Sequence, residues 1–310
     1  MMIRAIFVNP HNKNPFTIQE VETPQAQPWE TIVEVKAFSL NRGEVVDAIQ
    51  RQETSRPGWD FSGVVRQEAL NGVGPKKGSR VVGLLLTGAW AEQIAVPALT
   101  LAEIPDEITF EQAAALPVAG LSALYALRKG GLLLGKRVLI TGSTGGVGAF
   151  AHQLSALSGA YTIGVARSES KAKQAMAFGA NEVLVGEDVT KAIATNGPYD
   201  FIIDSVGGDT LAALFPQLIP QGVCVSLGHS SSDTSTLHMV GLGGRTLYSF
   251  FLGEEMNHHA PSQDLAMLTR LVGAGKLQTG IAVQESWEQI DSVARQLIHR
   301  RFTGKAVLTI

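Results

Sequence analysis

The sequence predicts an α/β chain in which a β-rich barrel or sandwich is followed by a doubly wound parallel sheet. Short runs of β-branched and aromatic residues crowd the first hundred positions, with turn residues between them. After Thr109, strand-like and helix-like stretches alternate, the pattern of a sheet with helices on both faces. A glycine-rich turn over residues 142–148 joins the first of these later strands to a helix.

The early strands are expected at residues 5–8, 17–21, 31–38, 61–65, 80–86 and 92–96. Their residues suit a pleated, half-buried surface, and Asn9-Pro10, Thr23-Pro24, Asn71-Gly72 and Lys77-Gly78 supply the turns. A helix over residues 43–50 interrupts them. Thr109, with Gln112 three positions on, predicts a capping box that opens a helix through the alanine-rich stretch to Leu127. The later strands are expected at 137–141, 161–166, 182–185, 200–204, 223–227 and 246–251, with helices at 147–157, 169–178 and 210–218. Helices at 262–273 and 286–299 and a strand at 306–310 close the chain.

Composition narrows the function. The 310 residues carry 25 Lys and Arg against 28 Asp and Glu, a net charge of -3. Such a chain has no overall pull on nucleic acid or anionic lipid. Cys224 is the single cysteine, which excludes an intramolecular disulfide and a multi-thiolate zinc site and fits a reducing compartment. The apolar stretch 113–127 holds Pro117 and Gly120 and is too short to span a bilayer comfortably, and residues 1–10 have no signal-peptide core. A cytoplasmic protein is expected, with no nucleic-acid or membrane partner.

Gly146, Gly148 and Ala151 match the G-x-G-x-x-A form of a dinucleotide fingerprint. A pyrophosphate needs backbone that can approach without Cβ atoms in the way, and free N–H groups at a helix N-terminus. The strand before and the helix after supply the required context. The second strand ends at Ala166-Arg167-Ser168, where an NAD site usually has an acid for the ribose 2′-hydroxyl. Arg167 and Lys171 can neutralise a 2′-phosphate and Ser168 can donate to it, so the cofactor expected is NADPH. Residues 130–137 imitate a phosphate loop, but Arg137 stands where the magnesium-binding hydroxyl belongs.

With these motifs on the page, the chain resembles the zinc-independent quinone oxidoreductase (zeta-crystallin-like) branch of the medium-chain dehydrogenase/reductase superfamily. Besides the glycine loop, the carriers are residues 38–44 (Phe-Ser-Leu-Asn-Arg-Gly-Glu), 57–65, 88–92, 113–123, 204–208 and 304–308. The resemblance implies a GroES-like β-barrel substrate domain from residues 1–115 and 252–310, and a Rossmann NADP-binding domain from 116–251. It implies cofactor contacts from Asn41, Ser122, Ser143, Thr144, Gly145, Gly146, Val147, Val206, Leu227, Gly228, His229, Phe250, Phe251, Leu252 and Lys305. It also implies a homodimer paired through the last Rossmann strand.

Departures from the superfamily pattern bear on the chemistry. Asn41 and Trp59 stand where zinc-dependent members have their Cys and His ligands, so no catalytic metal is expected. The branch's Asp is Glu44 here, Val46 is near its Tyr position, and residues 52–57 form a shortened loop. The expected reaction is hydride transfer from NADPH to a small electrophilic acceptor, a quinone or an activated alkene or carbonyl. Asn41 would donate to the developing oxyanion, while Trp59 and Asp60 would line the substrate pocket. Asp60, Glu44 or water could return the proton. An enoyl-thioester reductase is the alternative, with Arg51, Arg56 and Arg66 as candidates to receive a phosphorylated carrier. A non-enzymatic NADPH-binding protein on the same fold is the third reading.

Overall fold

The computed structural model describes residues 1–186, 188–238 and 240–310. They form two compact units, Met1–Leu121 with His258–Ile310, and Ser122–Asn257.

In the first unit, β1 (Met2–Val8) and β2 (Phe16–Glu22) make an antiparallel hairpin, with Met2 opposite Glu22. β3 (Glu30–Leu40) is the organising strand, followed by α1 (Arg42–Gln50), β4 (Asp60–Gln67), β5 (Arg80–Leu84), β6 (Gln93–Pro97) and the short β7 (Ala102–Glu103). β3 pairs with β4 along one edge and with β6 near its start. Register shifts at Ile32/Val33 and Val35/Ala37 mark bulges that bend the strand and increase its twist. The interior is aromatic and aliphatic: Phe38 stacks on Trp90 with centroids 5.6 Å apart, and Val33, Phe61 and Trp287 are buried with them.

The Thr109–Gln112 capping box forms as expected: Thr109 Oγ1 accepts the Gln112 N–H at 3.2 Å and Gln112 Oε1 accepts the Thr109 N–H at 2.9 Å. The helix it opens is short. α2 (Phe110–Ala114) stops and α3 (Pro117–Arg128) starts afresh, because Pro117 has no N–H to continue the ladder and suits a first turn.

The second unit alternates as the sequence predicts. Its elements are β8 (Arg137–Ile140), α4 (Gly146–Leu157), β9 (Tyr161–Ala166), α5 (Glu169–Ala177), β10 (Glu182–Val185), α6 (Val189–Asn196), β11 (Tyr199–Asp204), α7 (Gly208–Leu214), β12 (Leu218–Ser226), β13 (Thr246–Ser249) and α8 (Leu252–Glu255). The strands form one parallel sheet in the order β10-β9-β8-β11-β12-β13. The order reverses between β8 and β11, the switch point beyond whose carboxyl ends open α/β sheets generally bind ligands. β13 forms the outer edge of the sheet.

Returning to the first unit, the chain adds α9 (Pro261–Gly273), β14 (Ile281–Ser286), α10 (Ile290–Ile298) and β15 (Lys305–Thr309). β15 runs antiparallel to β3, Ala306 opposite Leu40, and parallel to β14.

The division between the two compact units falls at Leu121/Ser122 and Asn257/His258, six residues beyond each expected boundary. The first turn of α3 is tied to the barrel, where the Val118 N–H donates to Asp60 at 2.8 Å. At the other junction α8 is held by Lys129 and Tyr248 of the second unit. Among the described residues no helix is long and apolar enough to cross a membrane.

Candidate active site

The glycine loop leaves β8 at Ile140 and enters α4 through Gly145, the N-cap, which has extended backbone and no side-chain cap bond. The first helical N–H groups thus have neither an intrahelical nor a capping partner, and no acidic residue sits in the first turn. Gly142 adopts φ +61, and a Cβ on Gly148 would lie 2.3 Å from the Gly142 carbonyl oxygen. The turn requires glycine, and its shape suits an anion. Thr144 is buried in the loop. Ser143 departs from its expected contact: its buried hydroxyl donates to the Ile140 carbonyl and accepts the Val165 N–H, both at 2.8 Å. It pins the loop to β8 and β9.

The switch point is tied from the other side. Thr141 Oγ1 donates to Asp204 Oδ1 at 2.7 Å and accepts the Ser205 N–H at 2.9 Å. Asp204 also accepts the N–H groups of Val206 and Gly207 at 3.2 and 2.9 Å. Burial raises the Asp204 pKa, and the hydrogen bonds from Thr141, Gly207 and Val206 oppose that.

Beyond β9, Arg167 is exposed and Lys171 is half-buried, and neither pairs with a described carboxylate. Ser168 begins α5, with its hydroxyl 3.1 Å from that of Ser170. Two available cations beside a helix start form the pattern a phosphate monoester needs.

A cavity of about 370 Å³ opens beyond β12 and β13 and gathers Leu227, Gly228, His229, Phe250 and Phe251. Leu252 follows as the first residue of α8. Val206 instead clamps a neighbouring loop, its carbonyl accepting the Ser231 N–H and hydroxyl at 2.9 and 2.8 Å. Ser122 is buried within α3.

Behind the glycine loop, α4 buries His152 completely, and neither ring nitrogen has a hydrogen-bond partner. The ring packs on Gly164, where an added Cβ would come within 3.3 Å of it. Burial lowers its pKa from 6.5 to about 4. The unfolded chain therefore takes up a proton near pH 6.5 that the folded chain refuses, and stability falls as pH drops from 6.5 toward 4. The loss is about 1.4 kcal/mol per pH unit and ~3 kcal/mol in all. In urea unfolding, His152→Leu is expected to flatten this part of the wild-type profile. Parallel profiles for the two proteins would refute the assignment.

In the first unit, Asn41, Asp60 and Lys305 converge, each from a different element. Asp60 is fully buried: Oδ2 accepts from Ser39 Oγ (2.5 Å), Asn41 Nδ2 (2.8 Å) and Lys305 Nζ (3.2 Å), and Oδ1 takes the Val118 N–H. Lys305 Nζ also donates to Asn41 Oδ1 at 2.7 Å and to the Leu40 carbonyl at 3.3 Å. An ammonium can only donate, so Asn41 must turn Oδ1 toward it and Nδ2 toward the acids. Glu44, buried at the first turn of α1, accepts from the Asn41 N–H at 3.3 Å and Nδ2 at 3.4 Å. Desolvation, then the Asp60 charge, raises the Glu44 pKa well above the ordinary value. Two buried carboxyls thus face one ammonium, and at Glu44 burial favours the acid form.

This geometry bears on three expectations. Both Asn41 amide hydrogens are engaged by Asp60 and Glu44, so none is left for an oxyanion. Asp60 is enclosed and cannot line a pocket. Lys305 has all three donors engaged and presents none to a cofactor. Trp59 is half-buried, its carbonyl accepting the Leu85 N–H at 2.9 Å.

Residues 146–270 match the family model described as zinc-binding dehydrogenase. The bovine (Bos taurus) quinone oxidoreductase-like protein 2 is 27% identical over 316 residues, covering 96% of this chain and 90% of that one. The quinone oxidoreductase of Pseudomonas syringae pv. tomato DC3000 superposes over 100% of both chains, with a TM-score of 0.86 and 26% identity. The chain is a quinone-oxidoreductase-type member of the medium-chain dehydrogenase/reductase superfamily. Among other dehydrogenase/reductase relatives, the acryloyl-coenzyme A reductase of Sulfurisphaera tokodaii is 30% identical over 226 residues, 72% of this chain and 66% of that one.

The zinc of the family model's description would need lone-pair donors at the ligand positions of this dehydrogenase/reductase. Trp59 offers no lone pair, and Asn41 Oδ1 already receives the Lys305 ammonium. Among the described residues no three His, Cys, Asp or Glu side chains are placed to hold a metal. The site does not fit a catalytic zinc ion. Sequence reasoning missed the bond of Ser39 to Asp60, although Ser39 lies in the 38–44 motif, and it missed Tyr248, Glu255 and Lys129, which come together only by topology.

Proposed function

We propose that this oxidoreductase uses NADPH and passes a hydride to a quinone or another strongly activated acceptor without a metal. The observation that carries the reading is the uncapped glycine cradle at α4, with Arg167, Lys171 and Ser168 at the end of the neighbouring strand. Gly146–Gly148 would hold the pyrophosphate and Arg167 with Lys171 the 2′-phosphate. The cavity at Leu227–His229 and Phe250–Phe251 would receive the nicotinamide end. NADPH held by these residues would supply the hydride that reduces the acceptor. With the Asn41 donors engaged elsewhere, the protonation that follows falls to water. A quinone suits this, because its reduced anion is delocalised and needs no placed acid.

Enoyl-thioester reduction is the second reading, favoured by the similarity to the archaeal acryloyl-coenzyme A reductase. Against it, Arg51 pairs with Asp47 at 2.7 Å and Arg66 with Glu34, so two of the three arginines expected to receive a carrier phosphate are engaged.

The test compares NADPH with NADH by fluorescence titration, followed by quinone-dependent loss of absorbance at 340 nm. Charge-assisted hydrogen bonds are worth about 1.5–3 kcal/mol each. Arg167→Ala with Lys171→Ala is therefore expected to weaken NADPH on the order of 100-fold and NADH less than threefold. Equal losses for both cofactors would refute the 2′-phosphate assignment.

A homodimer is proposed through the free edge of β13, where Leu247 is 41% exposed. Sedimentation at micromolar concentration is expected to give a dimer, and Leu247→Asp a monomer. A wild-type monomer would overturn the proposal.

A further inference from the structure

The Phe250–Phe251 side of the cavity is bracketed by three side chains with no place in the chemistry above. Glu255 of α8 is 1% exposed, an unusual position for a carboxylate. Lys129, just past the end of α3, brings Nζ to 2.9 Å from Glu255 Oε2. Tyr248 of β13 donates its hydroxyl to Glu255 Oε1. The same ammonium stands 4.4 Å from the Tyr248 ring centroid, a cation–π contact. The hydrogen bond to Glu255, foremost among the causes, raises the Lys129 pKa.

Tyr248 and Glu255 lie seven residues apart, and both aromatic residues of the cavity fall between them. Their bond closes residues 248–255 into a short loop, and Lys129 fixes that loop to α3. Inside the loop, α8 is a single turn, held by the N–H groups of Glu254 and Glu255 donating to the Phe251 carbonyl at 3.1 Å. Such a turn has little stability of its own. Gly253 lets the Phe251 ring lie back over it: a Cβ there would meet the ring at 2.7 Å. Phe251 is 71% exposed, so its orientation comes from the loop and not from core packing.

We propose that Lys129, Glu255 and Tyr248 form a clasp that positions the Phe250–Phe251 wall and so sets the affinity of the cavity for a flat ring, the nicotinamide or an aromatic acceptor. The proposal rests on the reading of the cavity given above. The three are positioning residues, since they act through the phenylalanines.

The experiment uses the full chain with Glu255→Gln, Tyr248→Phe, Lys129→Met and the conservative Lys129→Arg. Amide hydrogen exchange across residues 249–257, well below the unfolding temperature, reads the clasp without any ligand. Exchange there is expected to rise about tenfold or more in Glu255→Gln and Tyr248→Phe and to stay unchanged elsewhere. With NADPH and 9,10-phenanthrenequinone, KM is expected to rise about 5- to 20-fold while kcat changes less than threefold. Lys129→Arg is expected to restore most of what Lys129→Met loses. Unchanged exchange over 249–257 in Tyr248→Phe, which keeps the ion pair and folds most readily, would overturn the clasp. So would variants that lower only the unfolding temperature and leave both exchange and KM at wild-type values. Absence of NADPH binding in the wild type would overturn the functional reading, whereas the exchange result judges the clasp independently.

Discussion

Gly148→Ala is expected to weaken NADPH binding by two orders of magnitude or more. A Cβ at this position would sit 2.3 Å from the Gly142 oxygen, 2.9 Å from its carbonyl carbon and 3.0 Å from the Ser143 carbonyl carbon. All are backbone atoms of the loop, so no side chain can rotate away and the turn itself must open. Opening it displaces the N–H groups at the start of α4. Each charge-assisted hydrogen bond lost is worth about 1.5–3 kcal/mol, so losing two is on the order of 100-fold or more in Kd. The barrel unit holds no part of the loop, and its stability is expected to be unchanged. Fluorescence titration with NADPH, paired with thermal unfolding, checks both. A Kd within threefold of wild type would mean that the cradle is not where the pyrophosphate sits.

Lys305→Met is expected to destabilise the barrel by about 3–5 kcal/mol, the cost of stranding a buried charge. Lys305 and Asp60 are 3% and 0% exposed, so water cannot take the place of the ammonium. The remaining donors to Asp60 are a hydroxyl, an amide and one backbone N–H, none of which carries charge. Pairing the change with Asp60→Asn is expected to restore much of the loss, and a double-mutant cycle in urea unfolding measures the coupling. Additive losses would show that the two residues do not act as a pair. Glu44→Gln is expected to act in the opposite sense. The folded chain holds the Glu44 proton well above the pH at which the unfolded chain releases it. The neutral acid therefore contributes fully at pH below about 4.5, and that contribution is lost as pH rises. A neutral amide removes this slope, so Glu44→Gln should gain on the wild type as pH rises above about 4.5.

The alternation of the second unit and its glycine cradle were legible in the sequence because both are local. Strand, turn and helix follow one another, and the glycines answer to contacts within six residues. The barrel cluster was not legible in the same way. Asn41 reads as a donor facing a substrate until Lys305, 264 residues away, takes its oxygen and leaves the amide hydrogens to Asp60 and Glu44. β14 was missed because its residues are mostly exposed and show no buried face. α6 was missed although Asp188 caps it, its side chain accepting the Thr190 N–H at 3.0 Å, because a β-branched start is a weak helical signal. The helix expected at 286–299 begins at Ile290, since Ser286 caps a tight turn over Trp287–Gln289 first.

The pairing of β15 with β3 constrains the order in which the chain matures. Residues 306–309 lie opposite 37–40, so that ladder must wait until those later residues have been made. During synthesis the parallel sheet, complete by residue 249, can form behind an unfinished barrel. Until Lys305 leaves the ribosome, Asp60 has no cation and the edge of β3 that β15 will occupy stays open. Vectorial synthesis thus gives the parallel-sheet unit a head start, and closure of the barrel follows it.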